Sequence, residues 1–222
     1  MTDIVIPVKK LSKAKQRLSG LLTPTVRAGL VLAMLEDLLA MVSFIDHGQI
    51  LVVASDDLVF DVARKFGADI LREDRPWGYN SAVNAGFAAL GDVENVAVFP
   101  ADIPLARSRE ISRLIAPSEM GKPLVRLAPS RDKLGTNGLF LSSRNLIRTG
   151  FGPDSYTGHC RSASAMGIDT VFLEAPSLAH DIDTPLDLQE FIQHRQPGLT
   201  LEFMESIHCA GLAPASEKKA FV

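Results

Sequence analysis

Residues 95–105 read NVAVFPADIPL. Asn95 to Phe99 is an apolar run with no polar alternation, and it leads straight into Pro100, Ala101 and Asp102. A strand apolar on both sides is buried on both faces, which is the pattern of a parallel sheet covered by helices. In such sheets ligands gather where the strands end. The segment therefore predicts an α/β fold and delivers one carboxylate, Asp102, to the edge where a site should lie.

The chain on the N-terminal side repeats the pattern. Ile4 to Val8 reads as a first strand, and Pro24 opens a helix with Leu30, Met34, Leu38 and Met41 on one face. Gln49 to Ala54 (QILVVA) is a second strand, followed by a helix over Leu58 to Phe66 that Gly67 stops. Ala68 to Leu71 is a short third strand. After a turn at Arg75 to Gly78 comes an alanine-rich helix, Asn80 to Leu90. These successive strand-to-helix units predict right-handed crossovers.

On the C-terminal side the signal is less regular. Leu124 to Leu127, Gly138 to Leu141 and Val171 to Leu173 are strand candidates, and Ser155 to Met166 is a helix. A mixed extension of the sheet is expected. Thr184, Pro185 and Asp187 read as an N-cap, a first-turn proline and an acidic third helical position, opening a helix to about His194. From Gln196 onward only Leu201, Phe203 and Ile207 form an apolar patch, so residues 196–222 are read as a tail, either a loosely docked helix or disordered.

Composition narrows the function classes. The 222 residues are 46% hydrophobic and 22% charged, enough for one large core. A net charge of -3 argues against a nucleic-acid partner, whose binding would need many exposed cations. Val26 to Ile45 is apolar but carries Arg27, Glu36 and Asp37, charges that are costly in lipid, so no membrane partner is expected. Cys160 and Cys209 form no CxxC pair, so neither zinc nor a disulfide framework is signalled and a cytoplasmic location fits.

Against this acidic background, residues 9–17 hold five cations: Lys9, Lys10, Lys13, Lys15 and Arg17. A basic loop at the carboxyl end of strand one, ahead of a helix, is where an α/β fold would grip a triphosphate. A solvated surface loop is the bland alternative. No GxGxxG follows a strand and no GxxxxGK[ST] occurs, so the grip would rely on side-chain cations. Asp181 and Asp183 share a side if extended, and one or both could join Asp102 around Mg²⁺, a hard cation that takes carboxylate and phosphate oxygens. Asp183 could equally be a helix cap or turn former. The turns Leu134–Gly138 and Gly150–Ser155 are glycine-punctuated, and the second opens a helix at Ser155 whose free amides suit an anion. His159 lies one turn further on, read either as structural or as a ligand contact. Trp77, Tyr79 and Asn80 offer an aromatic surface and an amide for a base and ribose, or simply core packing.

Taken together, PVKKLSKAKQRL (7–18), PADIPL (100–105), KLGTNGLFL (133–141), FGPDSYTGH (151–159) and DIDTPLDL (181–188) resemble the 2-phospho-L-lactate guanylyltransferase family over residues 3 to about 194. The resemblance implies the nucleotide-diphospho-sugar transferase fold, a Rossmann-like, mostly parallel mixed sheet flanked by helices, with a nucleotidyltransferase domain over 1–195. It also implies transfer of GMP from GTP to a small phosphorylated acid (2-phospho-L-lactate, phosphoenolpyruvate or 3-phospho-D-glycerate) with release of diphosphate, in biosynthesis of coenzyme F-420. By matching position, Lys9, Lys13 and Arg17 would face the GTP phosphates, with Lys9, Lys13 and Asp102 catalytic and Asn80 beside the nucleotide. Asp102 and Asp183 would hold magnesium, and Thr136, Gly152 and Ser155 would bind the acid. A homodimer is one option for the assembly. Two departures stand out: Tyr79 replaces the family's usual leucine, and Ile103 its leucine in an aspartate-leucine-proline. A sugar-phosphate or molybdopterin nucleotidyltransferase would carry a GxGxR loop where the lysines stand, while a nucleotide-binding regulator would bind GTP and release no pyrophosphate.

Overall fold

The computed structural model describes residues 1–75, 78–118 and 121–210, with side chains up to 207. Trp77 and the tail beyond 210 lie outside the described residues. Among the described residues the strands are β1 (Asp3–Pro7), β2 (Ile50–Ala54), β3 (Asp69–Arg72), β4 (Val96–Val98), β5 (Leu124–Pro129), β6 (Thr136–Leu141) and β7 (Asp169–Phe172). They form one sheet in the order β3-β2-β1-β4-β6-β5-β7. β1 pairs in parallel with β2 and β4, β2 with β3, and β5 with β7, while β6 is antiparallel to both its neighbours. The reversed direction of β6 places its first residues, Thr136 and Asn137, at the same edge as the carboxyl ends of β1 and β4. This is the mixed, mostly parallel sheet expected from the sequence.

Among the described residues seven helices cover it: α1 (Pro24–Ser43), α2 (Asp57–Lys65), α3 (Tyr79–Leu90), α4 (Ser108–Ile115), α5 (Ser155–Ala165), α6 (Pro185–His194) and α7 (Leu199–Ala210). Thr23 caps α1, its hydroxyl accepting from Val26 N–H ahead of Pro24. One core side holds Ile4 and Ile6 of β1 with Leu30, Met34 and Leu38 of α1, and the other holds Val5, Val53 and Val98 under α3. β1 is thus buried on both faces, as its unbroken apolar run requires. Among the described residues no helix is long and apolar enough to cross a membrane.

The charges inside α1 each have a partner. Arg27 is buried and donates to Leu22 O at 3.0 Å, closing the loop ahead of the helix, and Glu36 accepts from Lys65 at 3.1 Å. Asp37 accepts the Leu199 and Thr200 amides, at 2.8 and 2.9 Å, and so caps α7 from another helix. Leu201, Met204 and Ile207 of α7 are buried in the same core as α1. A Cβ at Gly29 of α1 would collide with the Phe203 ring, so that glycine allows the close approach.

Candidate active site

The basic loop follows β1 as two short 3-10 turns, Leu11–Lys13 and Gln16–Leu18. Leu11, Ala14 and Leu18 are buried and pin the loop to the core, and Asp56 holds its start by accepting from Leu11 N–H at 3.1 Å. This pinning decides where each cation goes. Lys13 sits at the end of the first turn, exposed, and does not line the cavity described below. Lys15 adopts left-handed backbone, φ 50°, uncommon for a residue with a side chain, and its ammonium turns inward. That reverses the sequence-based assignment, which names Lys13 and passes over Lys15. Lys9 and Arg17 do line the cavity.

Lys15 Nζ lies 2.5 Å from Asp102 Oδ2 and 2.8 Å from Asp183 Oδ1. Asp102 follows β4, and Asp183 precedes α6. The segments are joined by Ile182 N–H donating to Asp102 O at 3.0 Å. α6 is fixed in turn by a reciprocal capping box between Thr184 and Asp187. Burial works against charge on Lys15, but Asp102 and Asp183 outweigh it and hold the ammonium above the ordinary lysine value. Burial likewise opposes ionisation of Asp183, yet Lys15, then Lys9 and Arg17, keep its carboxyl below the usual range. Asp181 is pushed up, first by burial and then by Asp102, and accepts from Asn137 Nδ2 at 3.0 Å.

The Gly150–Ser155 turn carries the third part. Gly152 has φ 140° and Asp154 φ 58°, conformations that turn the chain sharply into α5. Ser155 Oγ lies 3.4 Å from Thr136 Oγ1, and both residues are buried and line the cavity. Asn80 is not at the cavity wall. Its Nδ2 donates to Phe151 O at 2.8 Å and its Oδ1 accepts from Phe151 N–H at 2.6 Å, so it bolts the start of α3 to this turn. Tyr79 packs edge-on to Phe151, ring centroids 5.1 Å apart, and does line the cavity.

His159 also stands behind the site, 1% exposed. Its Nε2 accepts from Gly150 N–H at 3.1 Å, which assigns the proton to Nδ1 and makes that nitrogen the donor to Thr136 Oγ1 at 3.0 Å. Thr136 then keeps its own hydroxyl hydrogen for a ligand. Burial lowers the His159 pKa to about 4. An unfolded histidine takes up a proton near pH 6.5, so the unfolded chain binds more protons between pH 6.5 and 4 and stability falls as pH drops through that window. We expect the parent to lose about 3 kcal/mol more stability than His159→Asn between pH 7 and pH 4, measured by urea unfolding. Parallel pH profiles would contradict the neutral, buried imidazole.

All these groups line or support one cavity of about 710 Å³, within the size of small-ligand sites. Sequence reasoning missed Lys15, Asn137 and Arg131 as wall residues. Arg131 is fixed by Asp187 at 3.0 Å and by Glu190. Among the described residues no three His, Cys, Asp or Glu side chains converge as a metal cage. Two carboxylates do meet around a cation, however, since the Lys15 ammonium bridges Asp102 and Asp183. A seat with one or two carboxylates and room for phosphate oxygens suits Mg²⁺.

The chain is similar to several known proteins. The family model described as "Guanylyl transferase CofC like" matches residues 2–219. The phosphoenolpyruvate guanylyltransferase of Rubrobacter xylanophilus is 34% identical over 186 residues, covering 83% of this chain and 90% of that protein. The 2-phospho-L-lactate guanylyltransferase of Methanocaldococcus jannaschii is 30% identical, covering 92% and 88%. The 3-phospho-D-glycerate guanylyltransferase of Colwellia psychrerythraea is 35% identical, covering 85% and 90%. A candidate nucleotide-diphospho-sugar transferase from Desulfovibrio desulfuricans G20 shares the fold, with TM-score 0.72 at 15% identity over 94% of this chain and 96% of that one.

Proposed function

Because the chain belongs to the CofC-like guanylyl transferase family, we propose that it transfers GMP from GTP to a small phosphorylated acid and releases pyrophosphate, in the cytoplasm, as a step toward coenzyme F-420. One observation supports this reading above the rest: a single cavity is lined both by cations suited to a triphosphate, Lys9 and Arg17, and by the turn of Gly152 and Ser155 beside Thr136. The Lys15–Asp102–Asp183 cluster lies in the same cavity.

In the proposed reaction an oxygen of the acceptor's phosphate attacks the α-phosphorus of GTP. The new O–P bond forms as the bond to the β-phosphate oxygen breaks, and the electron pair leaves on pyrophosphate. The attacking oxygen is already ionised near pH 7, so no general base is required. Thr136, the Gly152 turn and Ser155 would orient the acid, with His159 directing the Thr136 hydroxyl toward it. Lys9 and Arg17 would neutralise the departing pyrophosphate, and Lys15 charge building at the α-phosphate. Asp102 and Asp183 would hold Mg²⁺, which when bound supplies charge neutralisation on the triphosphate.

The proposal is tested by offering each of four nucleoside triphosphates with Mg²⁺ and the three acids, with pyrophosphate release as readout. It predicts release with GTP only when an acid is present. Binding of GTP without release for any acid would point to the regulator instead. Within this scheme Lys13→Ala is expected to change GTP affinity by less than about twofold, since an exposed cation is screened by salt. A tenfold loss by calorimetry would return Lys13 to the site.

A further inference from the structure

Among the described residues three buried side-chain polar atoms have no hydrogen-bond partner: Arg27 Nε, Arg144 Nε and Tyr79 Oη. Both guanidinium groups are anchored through another nitrogen, Arg27 to Leu22 O at 3.0 Å and Arg144 to Phe87 O at 2.9 Å. Tyr79 has a single polar side-chain atom, and that is the atom left over. Native proteins pair nearly all such groups, and an unpaired one at a binding cavity points to a partner that arrives with the ligand.

The position of Tyr79 identifies which ligand. Tyr79 is the first residue of α3, and its ring rests edge-on against Phe151, which rests on His159 at 5.0 Å between centroids. Asn80 ties the same backbone to Phe151 from both sides. Tyr79 is thus built into the turn that carries Gly152 and Ser155, and it shares the cavity wall with them and with Asp102. Burial, with Asp102 nearby, holds the phenol far above its ordinary pKa, so it presents a proton and not a charge.

We infer that the Tyr79 hydroxyl hydrogen-bonds a free hydroxyl of the acceptor acid, and so favours an acid that has one over an acid that has none. This rests on the guanylyltransferase reading above. The phosphate and carboxylate are common to all three acids named among the relatives and are met by the cations, Thr136 and the Gly152 turn. The acids differ in the carbon beside the carboxylate: in 3-phospho-D-glycerate it carries a free hydroxyl and the phosphate sits one carbon further on, whereas in 2-phospho-L-lactate and phosphoenolpyruvate it carries the phosphate itself and no free hydroxyl is present. Beside an acid with no free hydroxyl the tyrosine hydroxyl would stay unpaired, whereas beside one with a free hydroxyl it is satisfied, and sites built to bond a hydroxyl discriminate strongly against analogues lacking it.

The test compares the parent with Tyr79→Phe, an isosteric change, using 3-phospho-D-glycerate and phosphoenolpyruvate as acceptors with GTP and Mg²⁺. The ratio of kcat/KM for 3-phospho-D-glycerate over phosphoenolpyruvate should fall roughly ten- to a hundredfold in the variant. A ratio within about twofold of the parent's overturns the inference while the guanylyltransferase reading stands. No pyrophosphate from the parent with any acid overturns that reading and the inference with it. Thermal unfolding of the free proteins provides a second readout. Tyr79→Phe should melt at or above the parent's temperature, because it removes a hydroxyl without a partner. A clear drop in melting temperature would show that the hydroxyl is held within the protein, and would overturn the inference independently of activity.

Discussion

Lys15→Met is expected to lower kcat/KM on the order of 10³-fold, with GTP affinity changed far less. Lys15 is the only cation of the basic loop whose ammonium touches Asp102 and Asp183, and its side chain is 5% exposed. Methionine keeps most of the volume and removes the charge, so the effect reads as lost electrostatics and not as a cavity. The two carboxylates would then face each other without the bridging ammonium, leaving Lys9 and Arg17 as the cations acting on Asp183. A sealed pair broken in this way costs about 3–5 kcal/mol. Here the carboxylates are 25% and 42% exposed, so the figure is discounted to about 1–2 kcal/mol. Magnesium should restore more stability to Lys15→Met than it adds to the parent, because no ammonium competes for the carboxylates. Equal stabilisation by Mg²⁺ in both proteins, measured by thermal unfolding without nucleotide, would separate the metal from this pair.

Asp102→Asn is expected to reduce kcat/KM on the order of 10³-fold as well, with a different signature. The carboxamide has nearly the same shape, and the Asp102 carbonyl still accepts from Ile182 N–H, so the link between β4 and the Asp183 segment survives. Lys15 keeps its bond to Asp183. The variant should therefore fold like the parent, need more Mg²⁺ for half-maximal rate, and lose kcat more than acceptor KM. Activity within a few-fold of the parent at saturating Mg²⁺ would show that Asp102 does not act on the metal or the reacting phosphates.

The central strands were legible because burial on both faces leaves an unambiguous trace: each of Ile50 to Ala54 is buried, and each is apolar. α4 left a weaker one. Its apolar residues Ile111, Leu114 and Ile115 keep helical spacing but sit among Ser108, Arg109, Glu110 and Arg113, too few to mark a helix in the sequence alone. α7 was only half visible, because its N-terminal amides are capped by Asp37 of another helix and not by a neighbour in sequence.

Within the site, the segments were legible and the ranking inside them was not. Five cations in nine residues marked the loop, but charge does not distinguish Lys13 from Lys15. The backbone φ of Lys15 does, and it depends on how Leu11, Ala14 and Leu18 anchor the loop. A usable signal was present in the apolar residues at 11, 14 and 18, whose spacing leaves 13 and 15 on different sides. Asn80 was visible as a polar residue at a helix start, yet its role as a clamp depends on Phe151, 71 positions away. Tyr79 stood out as a departure from the family pattern, and its packing against Phe151, beside the Gly152 turn, depends on a residue 72 positions away.

The most direct test of the account is ³¹P NMR of a complete reaction of the purified protein with GTP, Mg²⁺ and 3-phospho-D-glycerate, with phosphoenolpyruvate in a parallel sample. The account predicts that the GTP signals are replaced by one equivalent of pyrophosphate and two coupled resonances of a new diphosphate bridge, while the acid's phosphomonoester signal falls in step. Release of inorganic phosphate, or of pyrophosphate with free GMP and an unchanged acid, would contradict it.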